Sequence, residues 1–266
     1  MGVALVTGAS AGLGVEFAKL FARDGHSVIL VARRKDRLEA LAHELKVLAP
    51  LGPEGSQPIS TWVIDIDLGK PGAGEKLFKQ VEALGVSVEF LVNNAGFGSS
   101  GEFAELPLPR ELQMIDLNIR ALVELTHLFL PSMLMKKAGR ILNVGSMAGF
   151  QPGPYMATYF ATKAFVNSFS EALNEELRKT GVTCTVLAPG PVATEFSEAA
   201  GTRESKSFKN SSVVARAPEV AELGYNAMMN GKSMVVNGAM NNILVQTLRV
   251  APRAAIRKAV AQFNKP

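Results

Sequence analysis

Residues 3–14 read Val3-Ala4-Leu5-Val6-Thr7-Gly8-Ala9-Ser10-Ala11-Gly12-Leu13-Gly14. An apolar run breaks here into a glycine-rich turn and then into a helical pattern. The run predicts a strand over 3–7, and the periodicity beyond it predicts a helix near 13–24. Glycine in such a turn lets the chain reverse tightly, brings backbone N–H groups close to a pyrophosphate and packs the helix against the sheet. The helix N-terminus adds unpaired donors and a positive dipole end. Many structural βα turns also use glycine. The placement of this one between a strand and a helix, inside a βαβ unit, points to a dinucleotide.

Outward from this unit the same alternation continues. Runs rich in Val, Ile and Leu predict strands near 27–32, 60–66, 88–93, 140–145, 182–188 and 233–236. Helical patterns fall between them near 34–48, 71–84, 108–134, 155–179 and 217–229. Strands with few charges are buried on both faces, and β alternating with α gives a parallel sheet covered by helices. The expected fold is α/β: a doubly wound, Rossmann-type parallel sheet of about seven strands, in one domain over 1–266. Three loops stand out: Pro/Gly-rich 49–60, Gly/Pro-containing 96–109 and polar 195–217. The last is long for a compact domain and is expected to be a substrate lid. Residues 238–266 are expected to form a basic C-terminal extension.

Composition narrows the function classes. With 47% hydrophobic and 20% charged residues over 266 positions, the chain can bury a core, which excludes general disorder. No apolar run reaches the 18 or so residues of a membrane span; the best candidate, 121–135, carries Glu124, His127 and Pro131. The N-terminus enters a strand-like run at once, with no basic leader, and Val6 stands where a myristoylation signal asks for Ser or Thr. The single cysteine, Cys184, lies in a β-like run and is expected to be a buried thiol. Three scattered His and one Cys argue against a metal site. A soluble, cytoplasmic protein is the expectation. The net charge of +4 comes from the end of the chain: residues 223–266 hold six bases and no acid, whereas 1–222 hold 22 bases and 24 acids. That distribution gives no support to nucleic-acid binding by the domain.

The second strand ends Leu30-Val31-Ala32-Arg33-Arg34. An NAD site places Asp or Glu at this strand end for the ribose hydroxyls. Ala32 stands there instead, followed by two guanidiniums whose planar forks suit a ribose 2′-phosphate. NADP is therefore the expected cofactor, read mainly by Arg33, with Arg34 and the Ser10 hydroxyl nearby. The competing view is that both arginines merely open a solvated helix face.

In Tyr159-Phe160-Ala161-Thr162-Lys163 the i, i+4 spacing puts Tyr159 and Lys163 on one helix face. A phenol with an ordinary pKa near 10 is a poor acid–base group at neutral pH, and a neighbouring ammonium is expected to lower it. Taken alone, the pair also fits a shared helix surface.

With these residues in view, the chain resembles the short-chain dehydrogenase/reductase family over roughly residues 3–194. The landmarks occur in order: the turn at Thr7–Gly14, Asp67 after the third strand, Asn93-Asn94-Ala95-Gly96 after the fourth, Asn118 in a helix, Ser146 after the fifth, Tyr159/Lys163, and Pro189-Gly190-Pro191-Val192-Ala193-Thr194 after the sixth. The resemblance implies that Tyr159 exchanges a proton with the substrate oxygen and that Ser146 orients the carbonyl. Lys163 would hold the nicotinamide ribose, and Asn118 would break its helix and anchor a relay water. Gly8, Ser10, Ala11, Gly12, Leu13 and Gly14 would cradle the pyrophosphate. Asp67 and Leu68 would meet the adenine, and Asn94, Ala95 and Gly96 would line the cofactor. Val192 and Thr194 would hold the nicotinamide amide, with Pro189 and Gly190 of the same turn also part of the cofactor site. One departure is Ala11, where many NADP-preferring relatives carry a base.

The implied activity is interconversion of a carbonyl and a secondary alcohol, on an apolar or 3-oxoacyl-type small molecule. Phe97, Phe150, Tyr155 and Met156 suggest an apolar cleft without a carboxylate or phosphate clamp. A non-catalytic NADP-binding sensor or scaffold is the alternative. The resemblance also implies a homodimer or homotetramer joined through the helices of Asn118 and Tyr159. In the tail, Arg249, Arg253 and Arg257 share a helical face beside Leu244, Leu248, Ile256 and Val260, with a break at Pro252. The tail is expected to cover the domain; contact with an anionic membrane surface is the alternative.

Overall fold

A computed structural model describes residues 1–49, 59–201 and 214–265. Most of the Pro/Gly-rich loop (50–58) and the middle of the expected lid (202–213) lie outside the described residues. The strands are β1 (Val3–Thr7), β2 (Ser27–Ala32), β3 (Thr61–Asp65), β4 (Val88–Asn93), β5 (Gly139–Val144), β6 (Val182–Ala188), β7 (Val192–Ala193), β8 (Ala215–Arg216) and β9 (Met234–Val236). The helices are α1 (Leu13–Arg23), α2 (Lys35–Leu48), α3 (Ala73–Ala83), α4 (Leu108–Ile115), α5 (Ala121–Lys136), α6 (Ala157–Glu176), α7 (Phe196–Ala199), α8 (Ala217–Met229), α9 (Ala239–Val250) and α10 (Arg253–Asn264).

Seven strands form one parallel sheet in the order β3-β2-β1-β4-β5-β6-β9, with Leu5 beside both Ile29 and Leu91. Alternate side chains enter opposite layers, as the pleat requires. Ala4, Val6, Val28 and Leu30 pack with Phe17, Phe21, Leu38 and Tyr225 on one face. Leu5, Ile29, Val31 and Leu91 pack with Leu77, Leu125, Phe129 and Met133 on the other. Each such fully buried side chain contributes roughly 1.5–3 kcal/mol. Both faces are apolar, which explains strand runs without charges. Cys184 is buried in the second layer, and burial pushes its thiol up to about 12.

The chain builds outward from β1 to β3, then crosses back to place β4 on the far side of β1. The turns after β1 and β4 therefore diverge and leave a crevice at the strand ends, where ligands of open α/β sheets bind. Two expected helices prove more complex. The 108–134 pattern divides into α4 and α5 around a π-helical turn, Asp116–Arg120, that contains Asn118. The helix expected from 155 starts at Ala157, because Tyr155 adopts a left-handed φ of 64°.

The tail covers the domain, as the favoured expectation held. Pro252 separates α9 from α10; Ile256 and Val260 are buried against Met156, Tyr159 and Phe160, and Arg249, Arg253 and Arg257 point to solvent. Among the described residues, no helix is long and apolar enough to cross a membrane, and no acid, His or Cys cluster is suited to a metal.

Candidate active site

The glycine-rich turn has the shape a pyrophosphate needs. Gly8 has φ +67°, and a Cβ there would lie 2.8 Å from Asn94 Nδ2 and 3.0 Å from Ala95 Cα. Gly12 has φ +57° and begins α1 with no side chain capping the helix, so first-turn N–H groups stay available to an anion. Gly14 serves the close packing that the turn also requires. It is buried, and a Cβ there would meet the Gly8 carbonyl at 2.3 Å, so it lets α1 pack against the turn rather than lining the cleft. Thr7 ties the two diverging turns together. Its Oγ1 accepts from the Asn94 and Ala95 N–H groups at 2.9 and 3.0 Å and donates to the Val92 carbonyl at 3.1 Å.

Arg33 and Arg34 both border the cleft at the end of β2. Arg33 is exposed and has no ion pair among the described residues. Arg34 reaches the turn: its Nε and Nη2 donate to Ser10 Oγ at 3.2 and 3.1 Å, and Nη2 also to the Ser10 carbonyl at 3.2 Å. Asp67 and Leu68 close the same end, with Asp67 Oδ1 accepting from the Gly69 N–H at 3.1 Å.

At the other end, α6 brings Tyr159 and Lys163 to one face, both buried. Lys163 Nζ donates to the Val144 carbonyl at 2.7 Å, which leaves two N–H donors for a ligand. Ser146 opens a 3₁₀ turn, Met147–Phe150, and its Oγ accepts from the Ala148 N–H at 3.1 Å. Asn167, one turn beyond Lys163, clamps Ser146 by donating to its carbonyl at 3.0 Å and accepting from its N–H at 3.4 Å. The Asn118 side chain is fully engaged: Oδ1 accepts from the Phe97 N–H at 3.2 Å, while Nδ2 donates to the Phe97 carbonyl and to Thr162 Oγ1, each at 3.0 Å. Asn118 thereby locks the loop after β4 onto α6. Gly96 makes room for this, since a Cβ there would lie 2.9 Å from Asn118 Oδ1 and 3.7 Å from Lys163 Nζ.

Burial disfavours charge on both central groups. It pushes the Tyr159 phenol up to about 12, against a hydrogen bond with Ser146 that favours the phenolate. It brings the Lys163 ammonium down to about 8. The net direction at Tyr159 is thus opposite to the expected lowering by Lys163. The ammonium lies 6.0 Å from the ring centroid and is turned to the Val144 carbonyl, so desolvation wins.

Gly8, Ser10 to Leu13, Arg33, Arg34, Asp67, Leu68, Ser146, Tyr159 and Lys163 share one cleft of about 1040 Å³ with Pro189, Gly190, Val192 and Thr194 from the turn after β6, whereas Thr7, Gly14, Asn118 and Asn167 support it without lining it. Its apolar walls differ partly from those expected. Phe97 and Met156 are present, but Tyr155 is not part of the wall, and Phe150 packs away with Met147, Ala188, Val236 and Val245. Leu244, Leu248, Ile256, Val260 and Phe263 of α9 and α10 supply much of the remaining surface. The amphipathic pattern of the tail was visible in the sequence; nothing in it said which part of the domain the apolar side would meet. Asn167 did leave a signal, standing four residues after Lys163 as Lys163 stands four after Tyr159.

Known proteins resemble this chain in sequence and fold. The short chain dehydrogenase family model matches residues 2–205. A short chain dehydrogenase of Pseudocercospora fijiensis is 36% identical over 195 residues, which cover 73% of this chain and 60% of that protein. The very-long-chain 3-oxoacyl-CoA reductase of Laccaria bicolor is 39% identical over 184 residues, 68% of this chain and 52% of that protein. The chain thus spans between half and three fifths of the length of these two curated relatives. A short-chain dehydrogenase from Sphingobium yanoikuyae, solved in complex with NADPH, superposes with a TM-score of 0.81 at 29% identity, over 97% of this chain and 98% of that one. Most of the ordered landmarks line a single cleft, Asn118 standing behind it, and the match runs through most of the sequence: the chain belongs to the short chain dehydrogenase family.

Proposed function

We propose that the protein is an NADP(H)-dependent oxidoreductase that interconverts a carbonyl and a secondary alcohol on an elongated, largely apolar substrate such as a 3-oxoacyl compound. The observation that carries this reading is the convergence of Ser146, Tyr159 and Lys163 in the cleft that also holds the uncapped α1 N-terminus and Arg33. The glycine cradle and the guanidinium at the β2 end fit a 2′-phosphorylated dinucleotide. When bound, that cofactor supplies a hydride to the carbonyl carbon, or takes one back in the reverse direction.

The chain's own residues handle the oxygen. Ser146 Oγ rotates to donate to the carbonyl oxygen and fixes its position. Tyr159, held protonated by burial, gives its phenolic proton to the same oxygen as negative charge develops there. Lys163 uses its free donors on ribose hydroxyls and its charge to stabilise the phenolate left behind. Asn118 and Asn167 act as positioning residues by fixing the loop at Phe97 and the Ser146 backbone. The apolar wall from α9 and α10 favours a substrate with a long hydrocarbon portion. A homodimer or homotetramer completes the reading, because apolar side chains remain exposed on α4 and α6.

Following NADPH oxidation with short ketones, long-chain ketones, aldehydes and 3-oxoacyl thioesters tests the proposal. Turnover is expected for at least one long-chain class. Tyr159→Phe keeps the ring packing and removes the proton donor, so kcat should fall by about 10² or more with NADPH binding retained. Near-normal turnover in that variant removes Tyr159 from its assigned role. Tight NADPH binding with no turnover anywhere in the panel makes the protein a sensor or scaffold instead.

A further inference from the structure

Two consecutive residues connect the opposite ends of the cleft. Glu195 Oε2 accepts from Arg34 Nη1 at 2.8 Å, and its Oε1 accepts from Arg37 Nη1 at 2.6 Å. Phe196, the next residue, lies against the Tyr159 ring with centroids 5.3 Å apart. Thr194, the residue before, crosses the glycine-rich turn so closely that a Cβ on Gly12 would lie 3.0 Å from Thr194 Cγ2. Residues 194–196 therefore form a strap from Arg34 and Arg37, beyond the β2 end, to the aromatic ring of Tyr159.

The donor count at Arg34 makes the strap consequential. A guanidinium has five N–H donors. At Arg34, Nε and both Nη2 donors serve Ser10 and one Nη1 donor serves Glu195, which leaves a single N–H; an anion that grips Arg34 through both Nη1 donors must take one from the carboxylate. Both ion pairs of Glu195 are substantially exposed, with the carboxylate side chain 50% accessible, and exposed pairs yield readily. A phosphomonoester carries −1.5 to −2 charge and three acceptor oxygens, against one charge and two oxygens for a carboxylate. The phosphate is the stronger competitor. The paired arginines also hold the Glu195 carboxyl below its ordinary range, so it stays ionised at neutral pH.

We propose that Glu195 is a specificity-determining residue for the cofactor: its carboxylate competes with the ribose 2′-phosphate for Arg34 and Arg37, and its displacement loosens Phe196 from Tyr159. The proposal rests on the NADP(H) reading above. A ribose 2′-hydroxyl has no charge with which to displace a carboxylate, so a cofactor without the phosphate leaves the strap latched. Recognition of the phosphate at one end is thereby linked to access to the tyrosine at the other.

Adenosine fragments isolate the phosphate end. Calorimetric titration with adenosine 2′,5′-bisphosphate and with 5′-AMP should show the wild type preferring the former. In Glu195→Gln the bisphosphate should bind three- to tenfold more tightly, with 5′-AMP changed less than twofold. Nitration of Tyr159, followed by peptide mass mapping, reports the linkage. It should accelerate several-fold in the wild type on adding the bisphosphate, and should already be fast in Glu195→Gln without it. Equal effects on both nucleotides, or none, overturn the competition. Selective tightening with unchanged nitration overturns the link to Tyr159. A wild type with no preference for the bisphosphate overturns the NADP(H) reading itself, and the proposal with it.

Discussion

Tyr159 and Lys163 sit one helical turn apart and are both buried, yet burial serves them in opposite ways. A phenol held near 12 stays protonated across the physiological range and suits it to donating to a carbonyl oxygen. An ammonium held near 8 carries its charge below that pH and loses it above. Carbonyl reduction should therefore be level in kcat/KM below about pH 8 and decline above it, while alcohol oxidation, which needs the phenolate together with the Lys163 charge, should rise up to about pH 8 and then level off. Lys163→Arg retains a charge that does not titrate in this range. Its pH–rate profile should lack the inflection near 8 even where the rate itself is low. An inflection that survives the substitution belongs to another group. At this scale the sequence was informative wherever spacing implies contact, as for Tyr159 and Lys163. It was silent on Glu195, whose partners Arg34 and Arg37 lie 161 and 158 residues away. It favoured Arg33 over Arg34 only by nearness to the strand end; the fold adds that Arg34 is tied to Ser10, while Arg33 makes no ion pair among the described residues.

Among the elements, those that belong to the sheet were legible to within a residue, because strands buried on both faces leave an unbroken apolar run and glycines mark their ends. The π-turn at Asp116–Arg120 was less visible in outline. Its apolar periodicity continues through the insertion, and only the resemblance drew attention to Asn118. The tail shows where periodicity stops being informative. It reveals an apolar face and a break at Pro252, but docking of that face on Tyr159, Phe160 and Met156 is set by the rest of the domain. On the proposed function, this placement puts α10 against the far portion of a long substrate. Phe263 borders the cleft and is 55% exposed, so its removal costs little packing. Phe263→Ala should change Tm by no more than about 2 °C, as surface substitutions in proteins of this size do. It should raise KM several-fold for long-chain substrates and leave short ketones unaffected. A uniform change in KM across chain lengths assigns the long-substrate contact elsewhere.

The whole molecule combines a basic end with an otherwise slightly acidic body, and its cleft opens beneath that end. The apolar surface it leaves uncovered is not spread evenly. Leu112 and Ile115 on α4 are 51% and 40% exposed, and Phe165 on α6, stacked on Phe169 at 5.7 Å, is 39% exposed. These two helices pack against each other and carry, or adjoin, the residues that shape the cleft. Apolar groups gathered on adjoining helices, with few charges among them, are what a stable interface between copies buries. Light scattering should therefore give the wild type the mass of a homodimer or a larger even-numbered assembly at micromolar concentration. Phe165→Glu adds a charge that must be desolvated on association, at a cost of several kcal/mol. In a monomer the same side chain stands in water and is tolerated. The variant should therefore fold with a near-normal Tm and run at half the wild-type mass or less. Because α6 also carries Tyr159 and Lys163, its turnover should drop where assembly steadies that helix. A wild type already monomeric at these concentrations, or a variant that keeps its assembly, removes this face from the proposed interface.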